Sequence, residues 1–151
     1  MWTSVSIRSK RCSEDSTFRD ARRRQQLRGV GPVVATDLVA CVGDARQYAN
    51  GRQMAASLGL TPRQHSSGGR DRLLGISKRG DAYVRSLLVH GARAMLRTAP
   101  RHDDALSRWV TRLASRAHPN AACVAMANKT ARMAWAMLRH GTNYQPALAA
   151  A

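Results

Sequence analysis

The sequence predicts an all-α fold: a small helical domain with a helix-hairpin-helix element and a long loop rich in glycine, serine and arginine. Apolar residues recur at helical spacing, as at Val34, Leu38 and Val42. Residues that start and stop helices flank these stretches, and no stretch shows a convincing strand pattern. With 151 residues, 44% of them hydrophobic, the chain is long enough for one domain with a core.

Three regions are expected along the chain. Residues 1–15 show neither a helical nor a strand period, which predicts a disordered or loosely attached leader. The helical domain occupies residues 16–146, and residues 147–151 form a frayed tail.

Start and stop residues set the predicted helices. A first helix is expected from Ser16 to Leu27, with Ser16 as its N-cap. The later helices run from Pro32 to Val42 before Gly43, from Asn50 to Leu58 before Gly59, from Asp81 to a stop at Pro100, from about Asp103 to Ala117, and from about Asn120 to His140 before Gly141.

Residues 60–80 are predicted to form a long loop. Glycines and a proline interrupt this stretch, and its apolar residues follow almost no period. A loop of that length inside a compact domain is usually functional.

Arginine dominates the charge of the chain. Lysine and arginine number 25 against 9 acidic residues, which gives a formal net charge of +16. Nucleic acid is the leading predicted partner, because the guanidinium suits phosphate and neutralised phosphates release counterions. A membrane partner is not expected, since the arginines are spread over the whole chain and no apolar run approaches spanning or signal-peptide character.

The stretch LRGVGPVVATDL, residues 27–38, has the pattern of a helix-hairpin-helix. In that motif, Gly29 and Gly31 would let backbone amides and a helix N-terminus approach a DNA phosphate. Such a contact grips DNA without reading its sequence. An ordinary turn between two helices has the same pattern, and the surrounding arginines favour DNA.

The segment RQHSSGGR, residues 63–70, contains two serines among basic residues. A Ser-Ser-Gly-Gly sequence is most often only a turn. A serine that attacks a phosphodiester needs cations to hold the non-bridging oxygens and a way to lose its proton. The cationic and basic candidates are Arg63, His65, Arg70, Arg72, Lys78 and Arg79. His65 is a candidate base, a phosphate contact or a bystander.

Carboxylates are few and scattered, and Glu14 is the only glutamate. A metal-dependent nuclease needs carboxylates that converge on Mg²⁺, so no metal site is expected in this chain. Cys12, Cys41 and Cys123 are widely spaced and odd in number, which favours reduced thiols in a cytosolic protein.

Several ordered motifs together resemble a known family. The stretch from Gly29 to Leu96, which includes GVGPVVATDL, LGLTPRQHSSGG and GISKRGDAYVRSLLVHGARAML, strongly resembles the C-terminal transposase domain of the insertion-sequence 110 family (the 110/116/902 group). The later stretch HPNAACVAMANKTARMAWAMLRHGTNYQP resembles the end of the same proteins. The resemblance covers about residues 27–146.

The resemblance implies an enzyme of DNA transposition and recombination that is guided by a bridge RNA and uses a serine nucleophile. The family's serine aligns best with Ser67, and Ser66 is the second choice. The serine oxygen would attack a scissile phosphate, which gives a phosphoserine link and a free 3′-hydroxyl. The implied partners are DNA, guide RNA, and a full-length transposase or a second copy, in the bacterial cytoplasm and associated with the nucleoid.

The chain also departs from the family. Full-length relatives carry an N-terminal ribonuclease-H-like domain whose acidic residues bind Mg²⁺, and the residues before Leu27 do not resemble it. We therefore expect a truncated copy that is inactive alone, with Mg²⁺ bound only by that other domain. Two alternatives stay open: a basic module that binds DNA or RNA without chemistry, and a regulator that pairs with a full-length transposase.

Overall fold

A computed structural model describes residues 19, 23, 26–67 and 70–146, and at 65–67 and 70–73 it describes the backbone alone. These residues form five α-helices and one two-stranded sheet. The elements are α1 (Pro32–Val42), α2 (Gly51–Ser57), β1 (Pro62–Ser67), β2 (Arg70–Ile76), α3 (Ala82–Thr98), α4 (Ala105–Arg116) and α5 (Pro119–His140), with 3₁₀ turns at Ala45–Gln47 and Ala99–Arg101. The dominance of helix confirms the predicted fold class. The predicted leader, most of the predicted first helix and the tail at 147–151 lie outside the described residues.

Side-chain caps start α2 and α3 where the sequence predicted them. Asp81 accepts hydrogen bonds from the backbone amides of Tyr83 and Val84, at 2.8 and 3.0 Å, and so satisfies two amides at the start of α3. Asn50 accepts one from the amide of Gln53 at 2.9 Å at the start of α2. These contacts fix where α2 and α3 begin.

Helix α5 forms the centre of the core. It packs against α3 and α2, and its buried face carries small residues such as Ala127, Ala131 and Ala134. Leu88 of α3 and Met54 of α2 are buried in the same cluster. Small side chains on the central helix let its neighbours approach closely, which is how a short chain reaches a dense interior. No helix in the described part of the chain is long and apolar enough to cross a membrane.

The prediction of a loop over residues 60–80 is wrong for most of that stretch. Strands β1 and β2 form an antiparallel hairpin, with Ser67 paired to Arg70 and His65 paired to Arg72. The strands contact chiefly each other rather than the helices, and Arg63 and Leu74 are exposed. Because the strands pack chiefly on each other, the sequence lacks the apolar alternation that identifies most half-buried strands.

The turn before α1 packs directly on helix α3. The backbone of Gly29, with φ of +81°, lies against Gly91, and a Cβ built on Gly29 would be 2.7 Å from the Gly91 carbonyl oxygen. Leu27 and Val30, on either side, are buried. The apolar positions of this turn therefore enter the core, while its glycines provide the close contact.

A polar network joins the same turn to α4. The Arg28 guanidinium donates to the Asp104 carboxylate at 2.5 Å and to the Ser107 hydroxyl. Burial acts to raise the pKa of Asp104, but the hydrogen bonds from Ser107 and the charge of Arg28 outweigh it, so the pKa lies below its usual value. The ionised carboxylate is thus the form that the folded chain stabilises.

Adding a methyl group at Gly91 should destabilise the fold. Alanine normally favours a helix over glycine, but here its Cβ would overlap the Gly29 carbonyl oxygen. We expect Gly91→Ala to lower the free energy of unfolding by about 1–3 kcal/mol, measured by urea denaturation. Gly75→Ala is the control, because a Cβ there meets nothing within 4 Å. Equal stabilities for the two variants would contradict the contact.

The Asp104 network should make stability depend on pH. A carboxylate with a lowered pKa in the folded state contributes stability above its unfolded pKa, about 3.9, and loses it as the pH falls through the folded pKa. Asp104→Asn, which keeps an N-cap, should lose about 1 kcal/mol at pH 7 and show a shallower loss of stability below about pH 4. Asp103→Asn, at an exposed ion pair, should change little. Parallel pH profiles for Asp104→Asn and the parent chain would contradict this.

Candidate nucleic-acid interface

Two glycines fix the base of the hairpin. The chain crosses itself where residues 57–59 pass residues 78–80, and a Cβ on Gly80 would overlap the Ser57 carbonyl oxygen. A Cβ on Gly59 would lie 2.7 Å from the Arg79 amide nitrogen. Both glycines have positive φ, +71° at Gly59 and +87° at Gly80. A larger residue is therefore disfavoured both by the steric overlap and by the backbone conformation.

Lys78 is held in an unusual backbone conformation at this crossing. Its φ is +56°, and it is the one non-glycine residue with positive φ among the residues described. Its amide donates to the Gly59 carbonyl at 3.2 Å, and the neighbouring Ser77 amide donates to Thr61 at 2.8 Å. The left-handed conformation is costly for lysine, so the crossing itself must hold it.

Arg85 of α3 ties this base to the helical body. Its guanidinium donates to the Leu58 carbonyl at 3.1 Å and to the Arg79 carbonyl at 3.3 Å, one from each of the crossing segments. A cleft of about 350 Å³ lies beside it, between the end of β2 and the exposed side of α3. Its charged and ionisable lining residues are Lys78, Arg85, His90 and Arg93.

The strand register divides the candidate residues between the two faces of the hairpin. Directly paired residues share a face, and successive residues alternate. The pairs His65 with Arg72 and Ser67 with Arg70 therefore occupy one face. The pairs Gln64 with Leu73 and Ser66 with Asp71 occupy the other.

The other predicted residues lie at separate places. Arg63 is exposed on β1, and Arg79 is exposed and offers its carbonyl oxygen to Arg85. Gly29 and Gly31 are both exposed, and Gly31 precedes an α1 N-terminus that has no side-chain cap and no acidic residue in its first turn. The first turn of α1 therefore lacks a capping side chain, an arrangement that can receive an anion.

Sequence analysis missed part of the cleft. Arg85, His90 and Arg93 line it together with Lys78, although none was a candidate. Arg85 and Arg93 lie eight positions apart on α3, a spacing that puts two residues on one side of a helix. That spacing is visible in the sequence, but it indicates a site only in combination with the hairpin base, which lies against the same side of α3.

Within the described residues, no group of three or more His, Cys, Asp or Glu side chains could hold a metal ion. Cys41 is half-buried and Cys123 is buried, both as free thiols. Burial, with the Asp81 carboxylate nearby, raises the pKa of the Cys41 thiol, which favours its protonated form.

Comparison with known proteins identifies the class, since the relatives include transposases for insertion sequence elements. Residues 21–107 match the sequence profile described as Transposase IS116/IS110/IS902 family. The chain belongs to the IS116/IS110/IS902 transposase family. This confirms the resemblance seen in the sequence.

Individual relatives agree. The chain is 53% identical over 129 residues to a probable family 20 transposase of Pseudomonas aeruginosa, which covers 84% of the chain and 38% of the relative. It is 48% identical over 126 residues to the transposase for insertion sequence element IS1111A of Coxiella burnetii, covering 83% of the chain and 35% of the relative. The chain thus spans little more than a third of these relatives.

Removing the Arg85 guanidinium should loosen the hairpin base without unfolding the helices. We expect Arg85→Gln to speed hydrogen exchange at the Ser77 and Lys78 amides roughly five- to tenfold, the equivalent of about one hydrogen bond, while α5 amides stay protected. Arg93→Gln removes the same charge from the same cleft and should leave that exchange unchanged. Mass-spectrometric exchange that is identical in both variants would contradict the tethering role.

Proposed function

We propose that this domain carries the serine half of a composite active site for DNA strand cleavage and transfer. The pairing register of the hairpin carries the proposal, because it gives Ser67, His65, Arg70 and Arg72 positions on one face. A phosphoryl-transfer site of this kind needs a nucleophile, a proton acceptor and cations together. Membership in a transposase family supplies the substrate class.

The proposed reaction is an in-line displacement at a scissile phosphate. The Ser67 oxygen forms a bond to phosphorus while the bond from phosphorus to the 3′-oxygen breaks. The serine proton passes to a base, for which His65 is the candidate, and the departing 3′-oxygen takes up a proton to become a hydroxyl. One phosphoester replaces another, so a 3′-hydroxyl of a second strand can reverse the step without external energy.

The register also favours Ser67 over Ser66 as the nucleophile. Ser66 pairs with Asp71, whose carboxylate would repel an approaching phosphodiester, whereas Ser67 pairs with Arg70. The neighbouring Arg72 belongs to the Ser67 face as well. The residues paired with the two serines thus have opposite charge.

In this proposal, phosphates outside the reaction centre bind along the hairpin base. Lys78 and Arg79 are exposed there, and Arg85 and Arg93 extend the positive surface onto α3. The Gly29–Gly31 turn and the uncapped start of α1 provide a further phosphate contact through backbone amides. None of these contacts reads a base edge, so the domain would hold DNA without sequence preference.

The remaining parts of the reaction come from outside the described residues. We place the Mg²⁺-binding acidic residues in a ribonuclease-H-like domain, without which the serine half is inactive. Target choice belongs to a guide RNA, and a full-length transposase or a second copy is the protein partner. The setting is the bacterial cytoplasm, at the nucleoid.

Ser67→Ala should abolish a covalent link between this chain and DNA. The 16.5-kDa chain would be incubated with end-labelled insertion-sequence DNA, guide RNA and a full-length relative whose corresponding serine is replaced. An adduct of this chain that survives denaturing gel electrophoresis is expected for the parent chain and for Ser66→Ala, and not for Ser67→Ala. Both variants should bind DNA like the parent, with affinity that falls steeply with salt.

Other outcomes identify which part fails. An adduct that disappears only in Ser66→Ala would make Ser66 the nucleophile and reject the register argument. An adduct that forms in both variants would overturn the proposal that one of these serines is the nucleophile. If the parent chain forms no adduct while salt-sensitive DNA binding persists, the domain is a binding module without chemistry.

A further inference from the structure

A second and larger cavity, of about 740 Å³, lies on another part of the surface. The start of α2, the C-terminal half of α5 and residues 142–145 line it, it is open to solvent, and it shares no lining residue with the cleft at the hairpin base. Its volume is in the range of cavities that bind small molecules and cofactors.

Cations surround the opening of this cavity. Arg52 of α2 and Arg132 of α5 are exposed there, Lys129 is half-buried, and none of the described lining residues is acidic. The two helices are held together at this point, because a Cβ on Gly51 would lie 3.1 Å from the Arg132 backbone. Arg52 and Arg132 therefore extend from neighbouring parts of the backbone at the edge of the cavity.

Lys129 shows the effect of this crowding. Burial and the neighbouring charge of Arg132 both lower the pKa of its ammonium group. Its Nζ lies 4.6 Å from the centre of the Trp109 ring, a cation–π contact on the side of α4. An anion at the opening would relieve the repulsion between Lys129 and Arg132.

The interior of the cavity is apolar and aromatic. Met133 and Met137 line it together with Trp135 and Tyr144. The Trp135 indole nitrogen donates to the Ala45 carbonyl at 3.1 Å, which fixes the ring. A fixed aromatic ring beside adaptable methionines suits a flat apolar group rather than a second charge.

We propose that this cavity binds one unpaired nucleotide of a nucleic-acid strand, with its phosphate at Arg52 and Arg132 and its base against Trp135 and Tyr144. The proposal rests on the proposed function in one respect, that nucleic acid is the partner, and adds a second site to it. An unpaired base offers the aromatic face that a cavity of this kind can stack, and stacking tolerates any sequence. Duplex DNA, whose bases are stacked internally, would leave the apolar interior unused.

The test compares single strands with and without bases. Fluorescein-labelled dT12 and an abasic strand of equal length would be titrated with the full chain, alongside a 12-base-pair duplex. The double variant Arg52→Gln/Arg132→Gln should bind dT12 at least fivefold more weakly than the parent chain, with a salt slope lower by about 0.7 for each phosphate that it no longer neutralises. The charge-matched control is Arg112→Gln/Arg116→Gln on α4, where both arginines are exposed outside the cavity.

The parent chain should also bind dT12 at least fivefold more tightly than the abasic strand. Equal affinity for the two strands would overturn the base pocket. An equal decrease of affinity in the control variant, or an equal decrease for the duplex, would mean that the arginines act only through general surface charge, and it would overturn the nucleotide site. Displacement of dT12 by poly-glutamate of equal charge and at equal concentration would point to an acidic protein segment and would also reject the proposal.

This test is separable from the one on Ser67. A chain that forms no adduct but binds dT12 more weakly in the cavity variant would retain the nucleotide site and lose the catalytic proposal. A chain that forms the adduct and binds dT12 equally well in all variants would keep the serine chemistry and lose the cavity.

Discussion

Direct contact between backbones at glycine holds each candidate binding feature against the helical body. Gly91 receives the turn that precedes α1, and Gly80 receives the carbonyl of Ser57 where the hairpin leaves the domain. Gly51 lies against Arg132 beside the large cavity. The contacts at Gly91 and Gly80 have no room for a Cβ, and the contact at Gly51 is tighter than ordinary van der Waals packing, so glycine at these positions lets the backbones pack directly. Long arginine side chains then extend from surfaces whose backbone is fixed, which lowers the cost of ordering them on a phosphate strand.

Several of the few acidic residues stabilise helix starts. Asp44, Asp81 and Asp104 cap the start of helical segments, and Asp104 also anchors Arg28. With 25 lysines and arginines against 9 acidic residues, the chain has too few carboxylates to balance most of its positive charge. Such a surface repels itself until a polyanion neutralises it, so binding of nucleic acid should stabilise the folded chain as well as recruit it.

Sequence patterns predicted the helices well because their signals are local. Asn50, Asp81 and Gly141 act within one helical turn, and each helix begins or ends beside them as expected. The hairpin was missed because strand prediction depends on burial of one face, and these strands contact chiefly each other. Its Gly68-Gly69 dipeptide was the available signal, since such pairs favour two-residue hairpin turns. The cleft at α3 could not be predicted, because it exists only where the hairpin base meets that helix.

The position of α2 gives the two candidate sites a fixed relation. Its first residues, including Arg52, border the large cavity, and its C-terminal end leads to Leu58, whose carbonyl accepts from Arg85 at the hairpin base. Helix α2 spans only Gly51–Ser57, which at a rise of 1.5 Å per residue corresponds to roughly 10 Å. Asn128 of α5 donates to the Leu60 carbonyl at 3.2 Å and braces the same connection. A nucleotide bound in the cavity would therefore determine where the rest of its strand lies relative to the hairpin. The cavity would then help to position the strand at the Ser67 face, in addition to increasing the affinity for nucleic acid.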